Sequence, residues 1–399
     1  MLLSHQILNT VTVKKMKKIA ILLYTNGLEY DDRIRKEVLS ICKEVEDVKV
    51  KIFALTPDNY FYEGYTEYGI KYELISLKSR RLLPSGRFTF IKAFDLFFTM
   101  NRRLKKEYDI LWFADPETFL FPLLIRNKPI IWDLHELPSF LYKNRLTKMI
   151  FQSIEKNTYK ILHANQYRID FLIKNNTILN PTKHIPVRNF PEEKIQIDIS
   201  NSDLQQVARF NKWLGESTCV YLQGLSSNAR KPIESISAVI ESDLLLKAVV
   251  VGRFDELEKD FLLKKYGNLF TEKIYFTGQI PQHVTVQYIK QCKLGLVFYE
   301  LDSYNNRLCE PNRMFQLIMN DCPVIVGCNY PMSEIVNKYH FGITLESDGS
   351  SIDEIKRAIE LLDKNYKEYS QKIIENKKNI LWKQYDSVLG NLIKNIEIR

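Results

Sequence analysis

Long apolar runs are missing from this 399-residue sequence. No stretch reaches the about eighteen consecutive apolar residues that cross a bilayer as a helix, so no transmembrane segment is expected. Cysteine is sparse and scattered. Its six residues, Cys42, Cys219, Cys292, Cys309, Cys322 and Cys328, form no Cys-x-x-Cys pair. That argues against a zinc site or a disulfide framework and for reduced thiols in a cytoplasmic protein. No two aspartates are separated by a single residue, so the carboxylate signature of a Mg²⁺- or Mn²⁺-held nucleotide is absent. There is no G-x-x-x-x-G-K-[ST] loop and no G-x-S-x-G elbow, and the loop after the first strand lacks G-x-G-x-x-G.

What is present is ordinary globular composition, 45% hydrophobic and 26% charged, with an excess of base: 57 Lys and Arg against 48 Asp and Glu, net +9. That excess suits nucleic acid, an anionic membrane surface or an anionic small substrate. No basic–aromatic motif of the known nucleic-acid modules occurs, so nucleic acid is not an expected partner. The length supports two or three domains.

Strand-like and helix-like segments alternate along the chain. KIAILLY (18–24), VKVKIFAL (48–55), DILWFA (109–114), PIIWDL (129–134), ILHAN (161–165) and IPVRNFP (185–191) read as strands, with helices over 31–45, 88–108 and 144–160. The polar stretch 192–205 breaks the rhythm. A second series follows: CVYLQG (219–224), LKAVVVG (246–252), KIYFTG (273–278), LGLVFYE (294–300) and CPVIVG (322–327). Such alternation predicts parallel sheets covered by helices. The expectation is an α/β chain of two doubly wound Rossmann-like domains facing a central cleft. Its parts are an extension over 1–15, a first domain over 16–192, a second over 193–380, and a final helical segment over 381–399. Ligands of such sheets bind beyond the carboxyl ends of the strands, so the loops after strands are the candidates for chemistry.

Five loops qualify. In YTNGLEYDDRIRKE, Asn26-Gly27 marks a turn and Asp31 and Asp32 suit a helix start; Arg33 and Arg35 in that first turn oppose the helix dipole. In WFADPETF, Asp115 and Glu117 offer acid/base carboxylates or, more simply, helix caps. In WDLHELPSF, His135 sits in a strand-end loop, able to donate a hydrogen bond near neutral pH or to serve structure alone. In YLQGLSSNARKPIESI, Arg230 and Lys231 precede Pro232, a good first helical residue; cations at a helix start make an anion site, or else a solvated basic pair. The fifth, LDSYNNRLCEPNRMFQLIM, again follows a strand and puts Asn312 and Arg313 in the first turn of an apolar helix, with polar Gln316 among its buried residues.

These motifs, in this order, resemble glycosyltransferases of family 4, retaining enzymes of the GT-B fold. The resemblance is strongest over 273–346, through Asn305-Asn306-Arg307, Pro311-Asn312-Arg313 and Phe315. DDRIRKE, WDLHEL, VRNFP and the tryptophan-containing tail NILWKQYDSVLGNLIKNI are similar to further family segments. The resemblance implies a metal-independent hexosyltransferase-type enzyme with no cofactor, whose co-substrate is a nucleotide-sugar bound by the second domain. It makes the first domain the acceptor side and returns the last helix to it. It assigns His135, Arg230, Lys231 and Arg313 to catalysis, with the three cations on the diphosphate. Asn26, Gly27, Asn306, Glu310, Asn312 and Gln316 fall at donor-binding positions. Gln316 stands where the family usually has a glutamate for the ribose, and Leu308 where it has a further acid. The implied setting is cell-surface polysaccharide synthesis with a saccharide or lipid-linked acceptor. Two other readings of the same architecture are a GT-B type nucleotide-sugar epimerase and a non-catalytic scaffold subunit.

Residues 78–106 carry nine basic side chains (Lys78, Arg80, Arg81, Arg87, Lys92, Arg102, Arg103, Lys105 and Lys106) against Asp95 alone. Phe90, Phe94, Phe97 and Leu104 recur at helical spacing. The expectation is that this stripe packs inward, while the cations offer a peripheral contact to the inner membrane face.

Overall fold

A computed structural model describes residues 16–26, 28, 31–56, 62–84, 88–193 and 200–398. The expected extension 1–15, Gly27 and Arg87 lie outside the described residues. Two parallel-sheet, Rossmann-like arrays account for most of the chain.

The first sheet has the order β3-β4-β2-β1-β5-β6-β7-β8. Its strands are β1 (Lys17–Asn26), β2 (Val48–Thr56), β3 (Tyr62–Tyr65), β4 (Lys71–Ser76), β5 (Ile110–Ala114), β6 (Ile130–Leu134), β7 (Lys160–His163) and β8 (His184–Pro186). β1 lies at the centre, parallel to both β2 and β5, with Ile21 beside Ile52 and Trp112. β1, β5 and β6 are nearly continuous apolar runs because they are covered on both faces, as parallel strands must be. β3 runs antiparallel at the edge. That edge is charged: Lys51 bonds Glu63 and Glu73, and Arg103 bonds Glu73, which discourages further strand pairing.

Three helices of this region matter below: α1 (Asp32–Glu44), α2 (Lys78–Leu82) and α3 (Thr89–Glu107). Asp31 caps α1 by accepting from the Ile34 amide at 3.0 Å. The arginines of its first turn do not face the dipole alone. Arg33 is buried, donating to Asp133 at 2.8 and 3.0 Å and lying 3.1 Å from Glu37, while Arg35 and Lys36 hold Asp32. The C-terminal helix Asp386–Lys394 packs on α1. Lys17 Nζ donates to the carbonyls of Ile393, Lys394 and Ile396, a cation closing a helix C-terminus.

The second sheet is parallel throughout, with order β11-β10-β9-β12-β13-β14. Its strands are β9 (Thr218–Gln223), β10 (Leu246–Val251), β11 (Ile274–Gly278), β12 (Cys292–Val297), β13 (Val324–Val326) and β14 (Gly342–Thr344). The chain starts at β9, moves outward through β10 and β11, then returns to β12 on the other side of β9. The direction therefore reverses between β9 and β12, and a crevice opens at their carboxyl ends. Val220, Leu222, Ala248, Val250, Leu294 and Leu296 form the core beneath it.

The described residues cluster into two compact units. One takes in the chain to Asp133, Ser153–Ile161 and the segment from Tyr385 onward; the other takes in Leu134–Gln152 and Leu162–Gln384. His135 and every candidate residue from Arg230 to Gln316 belong to the second unit. Among the described residues no helix is long and apolar enough to cross a membrane.

Candidate functional site

The site grows from the two strand ends at the reversal. β9 ends at Gln223 and runs into Gly224, whose φ of +67° is a left-handed conformation that a side chain disfavours. β12 continues through Phe298 to Tyr299. Between these ends lie two guanidinium groups. Arg230, at the end of the short 3₁₀ turn Asn228–Arg230, donates to the Gly224 carbonyl at 2.5 Å and sits over the Tyr299 ring at 5.5 Å. Arg313, in the first turn of the helix Asn312–Met319, donates to the carbonyls of Gln223 (2.6 Å) and Phe298 (3.1 Å) and lies 4.8 Å from the same ring.

Arg313 is 7% exposed and its Nε has no hydrogen-bond partner. Burial pulls its pKa down and the neighbouring Arg230 charge adds to that, with Tyr299 opposing. Neither arginine pairs with a carboxylate among the described residues. Two cations against one aromatic ring, in a crevice floored by strand-end carbonyls, form a centre that lacks its counter-charge. That centre can take a dianionic group.

Lys231 differs from its neighbour. It adopts a left-handed conformation (φ 53°) as the cap of the helix Pro232–Ile240. Its ammonium already faces Asp348 at 3.3 Å and Glu300 at 3.8 Å. Glu310 also has a partner: its fully buried carboxylate takes Arg188 in a forked pair at 2.5, 2.9 and 3.1 Å. Burial nevertheless raises the Glu310 pKa, with Arg188 opposing. Asn312 accepts from Asn189. Asn306 donates to Asp302 at 2.9 Å, and its carbonyl accepts from buried Asn329 at 3.0 Å. Gln316, half-buried one turn after Arg313, makes no side-chain hydrogen bond among the described residues.

His135 is half-buried in the loop after β6, and Arg168 ties that loop to the 305–308 segment. Arg168 donates to the His135 carbonyl at 2.6 Å, to Asn305 Oδ1 at 3.1 Å and to the Leu308 carbonyl at 3.4 Å. Asn165 also donates to Leu308, and the Leu137 amide donates to Asn305 Oδ1. The histidine loop and the Asn-Asn-Arg segment are thus one hydrogen-bonded body. Sequence reasoning did not single out Arg168, Arg188, Tyr299 or Asp348, because each acts through partners distant in the chain. Gly224, quoted only as a strand end, carried a readable signal in its place at the end of an apolar run.

At the carboxyl ends of the first sheet, Asp115 is not an open acid. Its carboxylate accepts from the Tyr24 amide at 3.0 Å, bridging β1 and β5. Arg80 covers Tyr24, with its guanidinium 4.7 Å from the ring. Asn26 closes β1.

Solved structures match over nearly the full chain. A sucrose-phosphate synthase from Thermosynechococcus elongatus superposes with a TM-score of 0.74 at 14% identity, covering 95% of this chain and 98% of that one. HepE from Anabaena, solved with UDP and glucose, gives 0.67 at 12% identity, with 95% and 100% covered. A UDP-forming α,α-trehalose-phosphate synthase from Burkholderia xenovorans gives 0.66 at 11%, with 95% and 99% covered. The fold is GT-B. No protein-family model matches the chain, and no curated protein matches it significantly. At these identities the GT-B likeness establishes architecture; the chemistry rests on the residues at the β9/β12 crevice.

Proposed function

We propose that this protein transfers a sugar from a nucleotide-sugar donor to a saccharide or lipid-linked saccharide acceptor. The observation that carries the reading is the pair Arg230 and Arg313 at the β9/β12 reversal, stacked on one tyrosine and without a carboxylate. A nucleoside diphosphate supplies the missing charge. The solved GT-B structures with UDP or a UDP-sugar support that ligand class.

In this reading the two guanidinium groups stabilise the diphosphate as it leaves, where charge develops in the transition state. The C1–O bond to phosphate breaks, the acceptor hydroxyl oxygen forms the new C1–O bond on the same face, and its proton passes to the leaving phosphate oxygen. The outcome is retention, as in the glycosyltransferases of family 4 that the sequence resembles. His135 orients the sugar, held by Arg168. Lys231, paired with Asp348, joins the phosphate once that pair rearranges. Gln316 bonds the ribose hydroxyls without charge. No metal is required in this scheme, because Arg230 and Arg313 do the work of a divalent cation. We place the enzyme in the cytoplasm, in cell-surface polysaccharide synthesis. Asp115, bonded to a backbone amide, is a poor acid for epimerisation.

Calorimetric titration with UDP, GDP and their hexose derivatives tests the reading. Wild type binds at least one; Arg230→Ala loses about 1.5–3 kcal/mol, the worth of hydrogen bonds to a charged group. Binding without sugar release, with or without acceptors, assigns the chain to a non-catalytic scaffold, to which the uncharged Gln316 points. Failure of every nucleotide to bind refutes both.

A further inference from the structure

The sequence periodicity of α3 puts Phe90, Phe94, Phe97 and Leu104 on one inward face, but the structure turns the helix differently. Ala93, Leu96, Phe97, Met100 and Leu104 are buried, while Phe90 (57%), Ile91 (52%), Phe94 (46%) and Phe98 (74%) face outward. Residues 90, 91, 94 and 98 share one side of a helix, and 102, 105 and 106 continue that same side toward the C-terminus. The outward face of α3 is therefore apolar in its first half and basic in its second. Phe94 and Phe98 stack on each other at 6.4 Å, and Phe98 meets the core only edge-on, through Phe97 at 5.7 Å. α2 extends the patch. The Ser79 amide donates to Asp95 at 2.8 Å, fixing α2 against the middle of α3, and Leu82 is 82% exposed beside exposed Lys78 and Arg81.

Seven of the cations of this region divide into two sets. Arg80, Lys92 and Arg103 are spent inside the unit, on the Tyr24 carbonyl, the Pro84 carbonyl and Glu73. Lys78, Arg102, Lys105 and Lys106 are exposed and make no ion pair among the described residues. The acids close by are occupied: Asp95 by the Ser79 amide, and Glu107 by Arg103 at 3.4 Å. A protein groove would answer exposed phenylalanines with shape alone. A rim of unpaired cations around them selects an apolar layer lying beneath negative charge.

We propose that the outer face of α2 and α3 docks on an anionic phospholipid bilayer, with Phe94, Phe98, Ile91 and Leu82 entering the headgroup–acyl boundary and Lys78, Arg102, Lys105 and Lys106 on the lipid phosphates. The inference stands apart from the transferase reading, since it uses no residue of the β9/β12 crevice. Nucleotide binding and vesicle binding therefore fail or succeed separately.

The test is co-sedimentation of the full chain with vesicles of phosphatidylcholine alone and of equimolar phosphatidylcholine and phosphatidylglycerol. The protein pellets with the anionic vesicles, stays in solution with the neutral ones, and is released by salt. The double variant Phe94→Ser, Phe98→Ser loses vesicle binding at least about ten-fold while keeping the fold, as both rings are exposed. Arg102→Gln with Lys105→Gln weakens binding by about five-fold per cation removed. Should the phenylalanine variant melt early, the charge variant decides alone. Absence of wild-type binding to the anionic vesicles overturns the inference, as does undiminished binding by the charge variant. A concentration-dependent dimer abolished by Phe98→Ser, with vesicles ignored, also overturns it and makes this face a contact between copies.

Discussion

Gly224 offers a direct probe of the crevice, because a methyl group there acts on Arg230 and little else. A Cβ built on Gly224 falls 2.5 Å from Arg230 Nη1 and 3.5 Å from Arg313 Nη1. The first distance is about an ångström too short, so Gly224→Ala must swing the Arg230 guanidinium away from the Gly224 carbonyl and the Tyr299 ring. Two costs follow. Holding alanine at φ +67° destabilises the fold by about 1–2 kcal/mol. In the proposed donor complex, displacing Arg230 removes charge-assisted hydrogen bonds to the diphosphate, worth about 1.5–3 kcal/mol, or about a ten- to 150-fold rise in Kd. Gly215→Ala separates the two, since Gly215 also has positive φ (+59°) but its Cβ would meet nothing within 4 Å. Urea denaturation should show both variants destabilised, and calorimetry with UDP should show weakened binding for Gly224→Ala alone. Wild-type affinity in Gly224→Ala, or equal weakening in Gly215→Ala, refutes the claim that Arg230 is placed for phosphate.

Three further outcomes test the surrounding structure. Burial raises the Glu258 pKa to about 6, with Asp255 and Glu234 adding to it, and Oε2 has no partner. The folded carboxyl thus holds its proton more tightly than the unfolded one, so its contribution is full below about 4.3 and is lost as pH rises through about 6. Glu258→Gln should gain about 1 kcal/mol at pH 8 and nothing at pH 4 by urea denaturation; a gain at both pH values breaks the assignment. Gly342→Ala would place a Cβ 1.8 Å from the Val324 carbonyl oxygen, so the β13–β14 pairing should fail and the variant should melt early by circular dichroism or be recovered only as aggregate; wild-type melting contradicts the register. Cys219, Cys292 and Cys322 are buried and burial pushes the last two thiols up, so iodoacetamide should label exposed Cys42 first and these three only on unfolding.

The buried parallel strands were legible because burial on both faces leaves an uninterrupted apolar run, as in β1, β9 and β10. β3 and β4 were not. Glu63, Lys71 and Glu73 interrupt any apolar run, and their charges are answered by Lys51 and Arg103, brought in from elsewhere, and by Lys71 facing Glu63 across the edge. α3 was legible as a helix but not in its rotation. It carries two apolar arcs, one through Phe90 and Phe94 and one through Ala93, Leu96 and Met100, and periodicity cannot say which faces inward when both are apolar. At the site, Arg230 and Arg313 could be picked out by their place between a strand end and a helix start. The partners of Lys231 and Glu310 could not, since Asp348 and Arg188 are remote in sequence.

Arg313 shows why that placement was informative and also incomplete. An arginine in a helix's first turn opposes the dipole, and the sequence explanation was an anion. The structure adds a second function: its guanidinium straps the carbonyls of Gln223 and Phe298, the last residues before the two loops that flank the reversal. A strap by itself would account for Arg313 and for its burial. It does not account for Arg230, which brings a second positive charge to the same tyrosine ring and adds to the lowering that burial imposes on the Arg313 pKa. Nor does it account for the unsatisfied Arg313 Nε. A protein selected for stability alone would have separated these charges or placed an acid between them, as it did for Lys231 and Asp348. The uncompensated pair is the local conflict between folding and function, and conflicts of this kind mark binding sites.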